Sequence, residues 1–147
     1  MIKSLLKDVQ VIRVEESVAA GTATTTTDVV DMAGFEGAMF VVTLGTVTAT
    51  GVTTLKLQQC DTSGGDYADL TGTGLVSTGT TSDEKIMLVE IINPLERYIK
   101  LVAVTSVANV GIDSINVFKF GSSKLPITED DTVDNSEQTI APVEGTA

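Results

Sequence analysis

The chain has 147 residues, of which 9 are basic and 20 are acidic, so its formal net charge at pH 7 is −11. A surface this acidic repels phosphate, and we therefore expect no direct contact with nucleic acid. Histidine is absent, which removes the commonest general base and metal ligand, and the one cysteine cannot form an internal disulfide. We expect a protein that is not an enzyme, needs no cofactor and is stabilised by packing alone.

The predicted elements are almost all strands. In six segments hydrophobic residues alternate with polar ones or occupy both faces, and the abundant valine and threonine favour a pleated sheet. In chain order these segments are 9–15, 38–44, 53–60, 86–92, 98–105 and 114–120, with shorter candidates at 27–32 and 68–71. Turn-forming residues separate them, and helix is expected only as a turn near the N-terminus.

Strands at this spacing predict an all-β fold, a β-sandwich or jelly-roll-like single domain with extended N- and C-terminal arms. The segment 53–60 is expected to bury Leu55 and Leu57 on one face. The segment 86–92 is apolar on both faces except for Glu90, as in a buried strand. The domain boundaries that we predict are 1–14 for an N-terminal arm or first strand, 15–124 for the sandwich and 125–147 for an acidic extended tail.

The two termini carry separate expectations. The N-terminus lacks the apolar run of a signal peptide, and no apolar run is long enough for a membrane span, so we expect the chain to stay in the cytoplasm where it is made. The tail has no strand pattern, and ordering such a segment is costly, so we expect it to lie on a neighbouring subunit or a partner. It has no basic residue, and its acidic residues are Glu129, Asp130, Asp131, Asp134, Glu137 and Glu144.

The stretch CDTSGGDYADLT, which begins at Cys60, is a candidate for chemistry. Asp61, Asp66 and Asp69 supply hard oxygen ligands on a glycine-containing loop, the kind of site that calcium prefers, although the EF-hand spacing is absent. The letters DTSG have one residue more than the Asp-Thr-Gly signature of aspartic proteases, and Cys60 beside an acid is a poor thiolate. A polar hairpin loop accounts for the same residues, and we favour that interpretation.

Glu90 is the one charge in the apolar run IMLVEII. A buried carboxylate would be a candidate for function. Pairing with a base or a place in a subunit contact is the simpler interpretation, and the following strand offers Arg97 and Lys100 as bases. Arg97 itself is expected to be exposed in a turn, since it follows the sequence NPLE.

Several stretches occur in a familiar succession: MIKSLLKDVQVIRV, VDMAGFEGAMFVVTLG, LKLQQCDTSGGDYADLTGT, VEIINPLERYIKLVAV and the closing APVEGTA. The succession resembles a family of small proteins from the structural gene blocks of tailed bacteriophages, which are interpreted as head decoration or cement proteins. The family pattern is a Gly-Phe-(Glu/Asp)-Gly turn entering a buried strand, a strand running into a Gln-Gln/Ser-rich loop, and a Pro-Arg-(Tyr)-type turn before a core strand. Here 34–37 (GFEG), 58–61 (QQCD) and 94–98 (PLERY) take these places.

The resemblance implies a sandwich or jelly roll that binds the outer surface of the capsid as a homo-oligomer, a homotrimer in preference to a homodimer. Its partners would be the phage major capsid protein and further copies of itself, without nucleic acid or membrane. It would be made in the host cytoplasm and reside on the virion. Phage tail proteins share similar sandwiches, so a tail or head–tail connector component (tube, terminator or completion protein) is the alternative. The candidate interface residues are Met1, Ile2, Leu5, Leu6, Glu90, Arg97, Leu125, Pro126, Ile127, Ile140, Pro142 and Val143.

Overall fold

The computed structural model describes residues 4–140 and 143–145. Strands dominate these residues, and the one α-helix among them is a single turn near the N-terminus, as predicted. No helix in this part of the chain has the length and apolar character to cross a membrane. In chain order the elements are α1 Leu5–Asp8, β1 Gln10–Glu15, β2 Val18–Gly21, β3 Thr24–Thr26, β4 Val30–Asp31, β5 Gly37–Val47, β6 Val52–Cys60, β7 Ala68–Asp69, β8 Leu75–Thr78, a 3₁₀ turn Thr80–Ser82, β9 Ile86–Ile92, β10 Tyr98–Ser106 and β11 Val110–Phe120.

The strands form two antiparallel sheets. In the first, which we call sheet A, the order is β1-β11-β5-β9, and β2 pairs with β11 further along the side that β1 occupies. In the second, sheet B, the order is β3-β10-β6-β7, with β4 also on β10 and β8 also on β6. The two sheets pack against each other through one cluster of buried side chains. The predicted all-β sandwich is therefore confirmed.

The core is aliphatic and follows the two-residue alternation of the strands. On β6, Leu55 and Leu57 are fully buried, while Lys56 between them points outward, as predicted. On the paired strand β10, Ile99 and Leu101 fill the same face. Sheet A faces them with residues of β5 and β11, of which the fully buried ones are Ala38, Phe40, Val42, Leu44, Val110, Ile112, Ile115 and Val117. Burial of these side chains from both sheets is the main source of stability, because each removes apolar surface from water.

The strand β9 differs from the expectation of a strand buried on both faces. Met87 and Val89 are buried, but Ile86, Leu88 and Ile92 are 59%, 55% and 61% exposed. The reason is position, because β9 lies at the edge of sheet A and only its inner face meets sheet B. An apolar run on both faces does not reveal whether a strand is central or at an edge.

We predict that Leu57→Ala lowers the free energy of unfolding by about 3 kcal/mol, because it leaves a cavity in the core. The matched control is Leu95→Ala, since Leu95 is 91% exposed, and this change should alter the free energy by less than about 0.5 kcal/mol. Urea unfolding followed by circular dichroism measures both values. Similar losses in the two variants would contradict the placement of β6 in the core.

Candidate interaction surface

The stretch from Cys60 to Thr71 is a hairpin connection, as the sequence predicted. The strand β6 ends at Cys60, and the chain returns as β7, which pairs Asp69 with Gln58 and Ala68 with Gln59. The Tyr67 hydroxyl donates to the Ser63 carbonyl oxygen at 3.0 Å and braces the loop. The pairing of β7 with β6 and the Tyr67 hydrogen bond thus hold the two ends of the loop together.

The three aspartates proposed as calcium ligands are not brought together. Asp69 lies on β7, where its carboxylate accepts hydrogen bonds from Lys56 Nζ at 2.8 Å and Gln58 Nε2 at 2.7 Å. Asp61 and Asp66 are exposed in the loop. Within residues 4–140 and 143–145, no group of three or more His, Cys, Asp or Glu side chains could hold a metal ion.

Cys60 is a buried residue at the end of β6, with 5% of its surface exposed. Its Sγ lies 3.8 Å from Asp61 Oδ1 and 3.8 Å from Thr62 Oγ1. A thiol needs an electropositive and accessible setting to act as a nucleophile, and an adjacent carboxylate provides the opposite. Cys60 therefore contributes packing at the base of the loop.

Arg97 forms a two-point ion pair with Asp31. Its Nε donates to Asp31 Oδ1 at 2.8 Å and its Nη2 donates to Asp31 Oδ2 at 2.7 Å, while the guanidinium carbon lies 5.0 Å from the centre of the Tyr98 ring. The hydrogen bonds from Arg97 lower the pKa of Asp31, and the same contact raises the pKa of Arg97. Both side chains remain about half exposed, so this pair fixes the turn before β10 at the protein surface.

Glu90 forms no ion pair with Arg97 or Lys100, the bases that the sequence offered, while its place in a subunit contact stays a prediction. It lies on the exposed outer face of sheet A, opposite Met39. Arg97 binds Asp31, and Lys100 Nζ lies over the Tyr67 ring at 4.0 Å from its centre. The physical reason is that β9 and β10, although consecutive, belong to different sheets, so their outward side chains point away from each other.

A buried lysine, which the sequence analysis missed, lies between the sheets near this ion pair. Lys119 on β11 is 6% exposed, its Nζ donates to the Asp31 carbonyl oxygen at 3.0 Å, and it lies 4.2 Å from the centre of the Phe35 ring. Burial lowers the pKa of Lys119, although the negative charges of Asp31 and Asp130 act in the opposite direction. In the sequence, only the alternation of β11 indicates that Lys119 is buried, since Lys119 follows Ile115 and Val117 at two-residue spacing on the inner face.

The acidic tail lies against its own chain, whereas we expected it on a neighbour or partner. The Ile127 amide donates to the Lys7 carbonyl oxygen at 3.0 Å, and Gln10 Nε2 donates to the Thr128 carbonyl oxygen at 2.8 Å. Further along, the Arg13 amide donates to Thr132 Oγ1 at 3.1 Å. The tail therefore runs beside α1 and β1, and at Arg13 it satisfies a backbone donor on the edge of β1.

A groove of about 340 Å³ remains between α1, β1 and the tail. Its apolar wall comes from Leu6, Val9, Val11 and Val133. The rest of its wall is polar and comes from the tail, with Glu129, Asn135, Ser136 and Glu137. The N-terminal and C-terminal segments that the sequence named as arms thus meet on one side of sheet A.

The remaining candidate interface residues are mostly exposed. Leu5, Leu125, Ile140 and Val143 are 79%, 60%, 75% and 93% exposed, and Pro126 is exposed as well. Ile127 is half-buried under the tail contact with β1. Met1, Ile2 and Pro142 lie outside the described residues.

A row of exposed aliphatic side chains lies along β9, which the sequence analysis expected to be a buried strand. Ile86, Leu88 and Ile92 alternate with buried residues along β9, so all three project from the outer face of sheet A. The neighbouring strand β5 adds half-buried Met39 and Val41 to the same face. In the sequence, Ile86, Leu88 and Ile92 lie at multiples of two residues and therefore share one face of the strand. This pattern indicates an exposed apolar face only once β9 is known to be an edge strand.

Comparison of the sequence with protein-family models gives no match, and comparison with curated proteins gives none either.

We predict that Arg97→Gln raises the pKa of Asp31 toward its ordinary value of 3.8, because the largest cause of the lowered pKa is the Arg97 hydrogen bonds. With a lowered folded pKa, the pair stabilises the fold at pH values above 3.8, and this contribution is lost as the pH falls through the lowered value. NMR titration of the side-chain carboxyl signals measures the shift.

The control for this titration is Lys56→Gln, which removes the corresponding partner of Asp69. It should raise the pKa of Asp69 and leave that of Asp31 unchanged. If the pKa of Asp31 stays the same in Arg97→Gln, a group other than Arg97 lowers it.

Proposed function

We propose that this chain is a structural protein of a tailed-bacteriophage virion that binds the outer surface of the capsid as a decoration protein. The observation that carries the proposal is a set of exposed aliphatic side chains on a chain of net charge −11. Leu5 and Leu125 lie where α1 and the tail meet, and Ile86, Leu88 and Ile92 lie along β9. Soluble proteins seldom leave contiguous aliphatic side chains exposed without a contact to make. The function that this surface supports is therefore binding to other protein surfaces.

The places of the three motifs that carry the phage resemblance also support the proposal. The GFEG turn at 34–37, with Gly34 at a φ of 82°, leads directly into β5, a central strand. The QQCD motif at 58–61 is the end of β6 running into its loop, and the PLERY turn at 94–98 leads into the core strand β10. Each motif has the structural role that the family pattern assigns to it.

The mechanism that we propose is reinforcement of junctions between capsomers. A decoration protein adds buried area across such junctions and so opposes the pressure of packaged DNA. The partners are the major capsid protein and further copies of this chain, in a homotrimer or a homodimer. We assign the capsid contact to the side of sheet A where α1 and the tail meet β1, because Leu5 and Leu125 are exposed there and Leu6 lines the groove.

A tail or head–tail connector protein is the alternative from the same class of virion proteins. The exposed edge of β9 supports the connector alternative, because subunits that join head to tail through their edges can close into a ring. Association with tails or necks, and not with heads, distinguishes this alternative.

The test is co-sedimentation of the purified protein with expanded capsids and, separately, with tails of the phage that encodes it. We expect binding to capsids. Leu125→Asp should weaken that binding by roughly tenfold, because it places a charge in the contact. The control is Val76→Asp on β8, since Val76 is 59% exposed and Leu125 is 60% exposed, and it should bind like the unaltered protein.

Binding to tails alone would support the connector alternative. Binding to neither particle would reject both proposals. Equal weakening by the two substitutions would place the capsid contact elsewhere on the sandwich.

A further inference from the structure

The four sheet edges of this sandwich differ in strand length and in what covers them. Both edges of sheet B consist of short strands, β3 and β4 on one side and β7 and β8 on the other, none longer than 4 residues. On sheet A the edge at β1 is covered by the tail. Short strands, coverings and charged side chains are among the means by which proteins prevent pairing with other chains. The edge at β9 is neither short nor covered, since β9 has 7 residues and pairs with β5 alone within the described part of the chain, and Glu90 is its one charged residue.

The hydrogen-bonding groups of β9 that remain free can be identified from its pairing with β5. The Leu44 amide donates to the Lys85 carbonyl oxygen at 2.8 Å, so Lys85 and every second residue after it point their backbone groups toward β5. The backbone groups of Ile86, Leu88, Glu90 and Ile92 consequently point to the open side. These are also the residues whose side chains lie on the exposed outer face.

We propose that β9 pairs antiparallel with β9 of a second copy of this chain, about a twofold axis at Val89, so that the two A sheets become one continuous sheet. This contact would supply the homo-oligomer that the proposed function expects. Only the role of the dimer on the capsid rests on the proposed function. The contact defines a dimer, so a homotrimer would require a different contact.

The apolar pattern of β9 is self-complementary in one register, which favours a second copy as the occupant, and Glu90 disfavours a neighbouring register. With the axis at Val89, Ile86 faces Ile92 of the partner and Leu88 faces Glu90 of the partner, so all four free residues find a hydrogen-bonding counterpart. A shift by two residues in one direction places Glu90 opposite Glu90, which is repulsive. The opposite shift leaves Ile92 facing Glu84 of the partner and reduces the number of residue pairs.

The size of the contact sets its strength. Each copy contributes three aliphatic side chains that are between 55% and 61% exposed, together with the backbone of one strand. Stable protein interfaces bury about 1,200–2,000 Å² in total, and one pair of short strands covers less than that. We therefore expect a reversible dimer whose population rises with protein concentration, and a capsid that holds copies close together would favour it further.

The first experiment is sedimentation velocity of the full chain over a wide range of concentrations. We expect the unaltered protein to pass from monomer to dimer. Leu88→Glu places like charges opposite each other and should raise the dimer dissociation constant by about tenfold or more. Leu5→Glu is the control with the same substitution and charge, on the opposite side of sheet A, and should leave the constant unchanged. Leu88→Lys should retain the dimer, because its ammonium faces Glu90 of the partner.

The second experiment tests the register by disulfide formation in a Cys60→Ser background. Leu88 and Glu90 of the partner form a hydrogen-bonded pair with Cα atoms about 5.5 Å apart, which a disulfide can span. Chains with Leu88→Cys and chains with Glu90→Cys should therefore cross-link when mixed. Neither should cross-link with itself, because identical positions lie diagonally across the axis, about 7–8 Å apart.

Several outcomes would overturn the proposal. A monomer at all concentrations would show that β9 is free in solution or reserved for a different partner, such as a strand of the capsid protein. A dimer that survives Leu88→Glu but not Leu5→Glu would place the contact on the other side of sheet A. Self-cross-linking of Leu88→Cys would reject the register. None of these measurements involves capsids, so failure here and failure of capsid binding are separate results.

Discussion

The buried contact between the two sheets determines the rest of this structure. One cysteine cannot form an internal disulfide, so the sandwich depends on apolar side chains such as Phe40, Leu57 and Leu101 that pack between the sheets. Two sheets packed in this way leave four edges, and every edge exposes backbone hydrogen-bonding groups. How the chain treats these edges determines which of its surfaces are available for binding other molecules.

The two edges of sheet A, at β1 and at β9, differ in this respect. The tail contacts α1 through a hydrogen bond at Ile127 and β1 through hydrogen bonds at Thr128 and Thr132, so the chain covers that edge itself. The edge at β9 has a row of aliphatic side chains and one charge, Glu90. In the dimer that we propose, Glu90 disfavours the register that would place it opposite itself, and it faces Leu88 of the second copy.

The sequence was sufficient for the fold class, since the segments at 53–60 and 98–105 alternate clearly and both proved to be core strands. It was insufficient wherever the outcome depended on which strands are neighbours. The sequence offers Arg97 and Lys100 as bases for Glu90 because they follow it along the chain, yet β9 and β10 lie in different sheets. The exposure of Ile86 and Leu88 and the burial of Lys119 likewise follow from sheet order and sheet packing, which involve residues distant in sequence.

The measurement that tests the proposed role most directly is cryo-electron microscopy of the virion at a resolution that shows side chains. We predict density for the sandwich on the outer surface of the head, with α1 and the tail against the capsid protein. Density confined to the neck or tail would contradict the decoration role while leaving the fold unchanged. Absence of the chain from purified virions would contradict a structural role in the particle altogether.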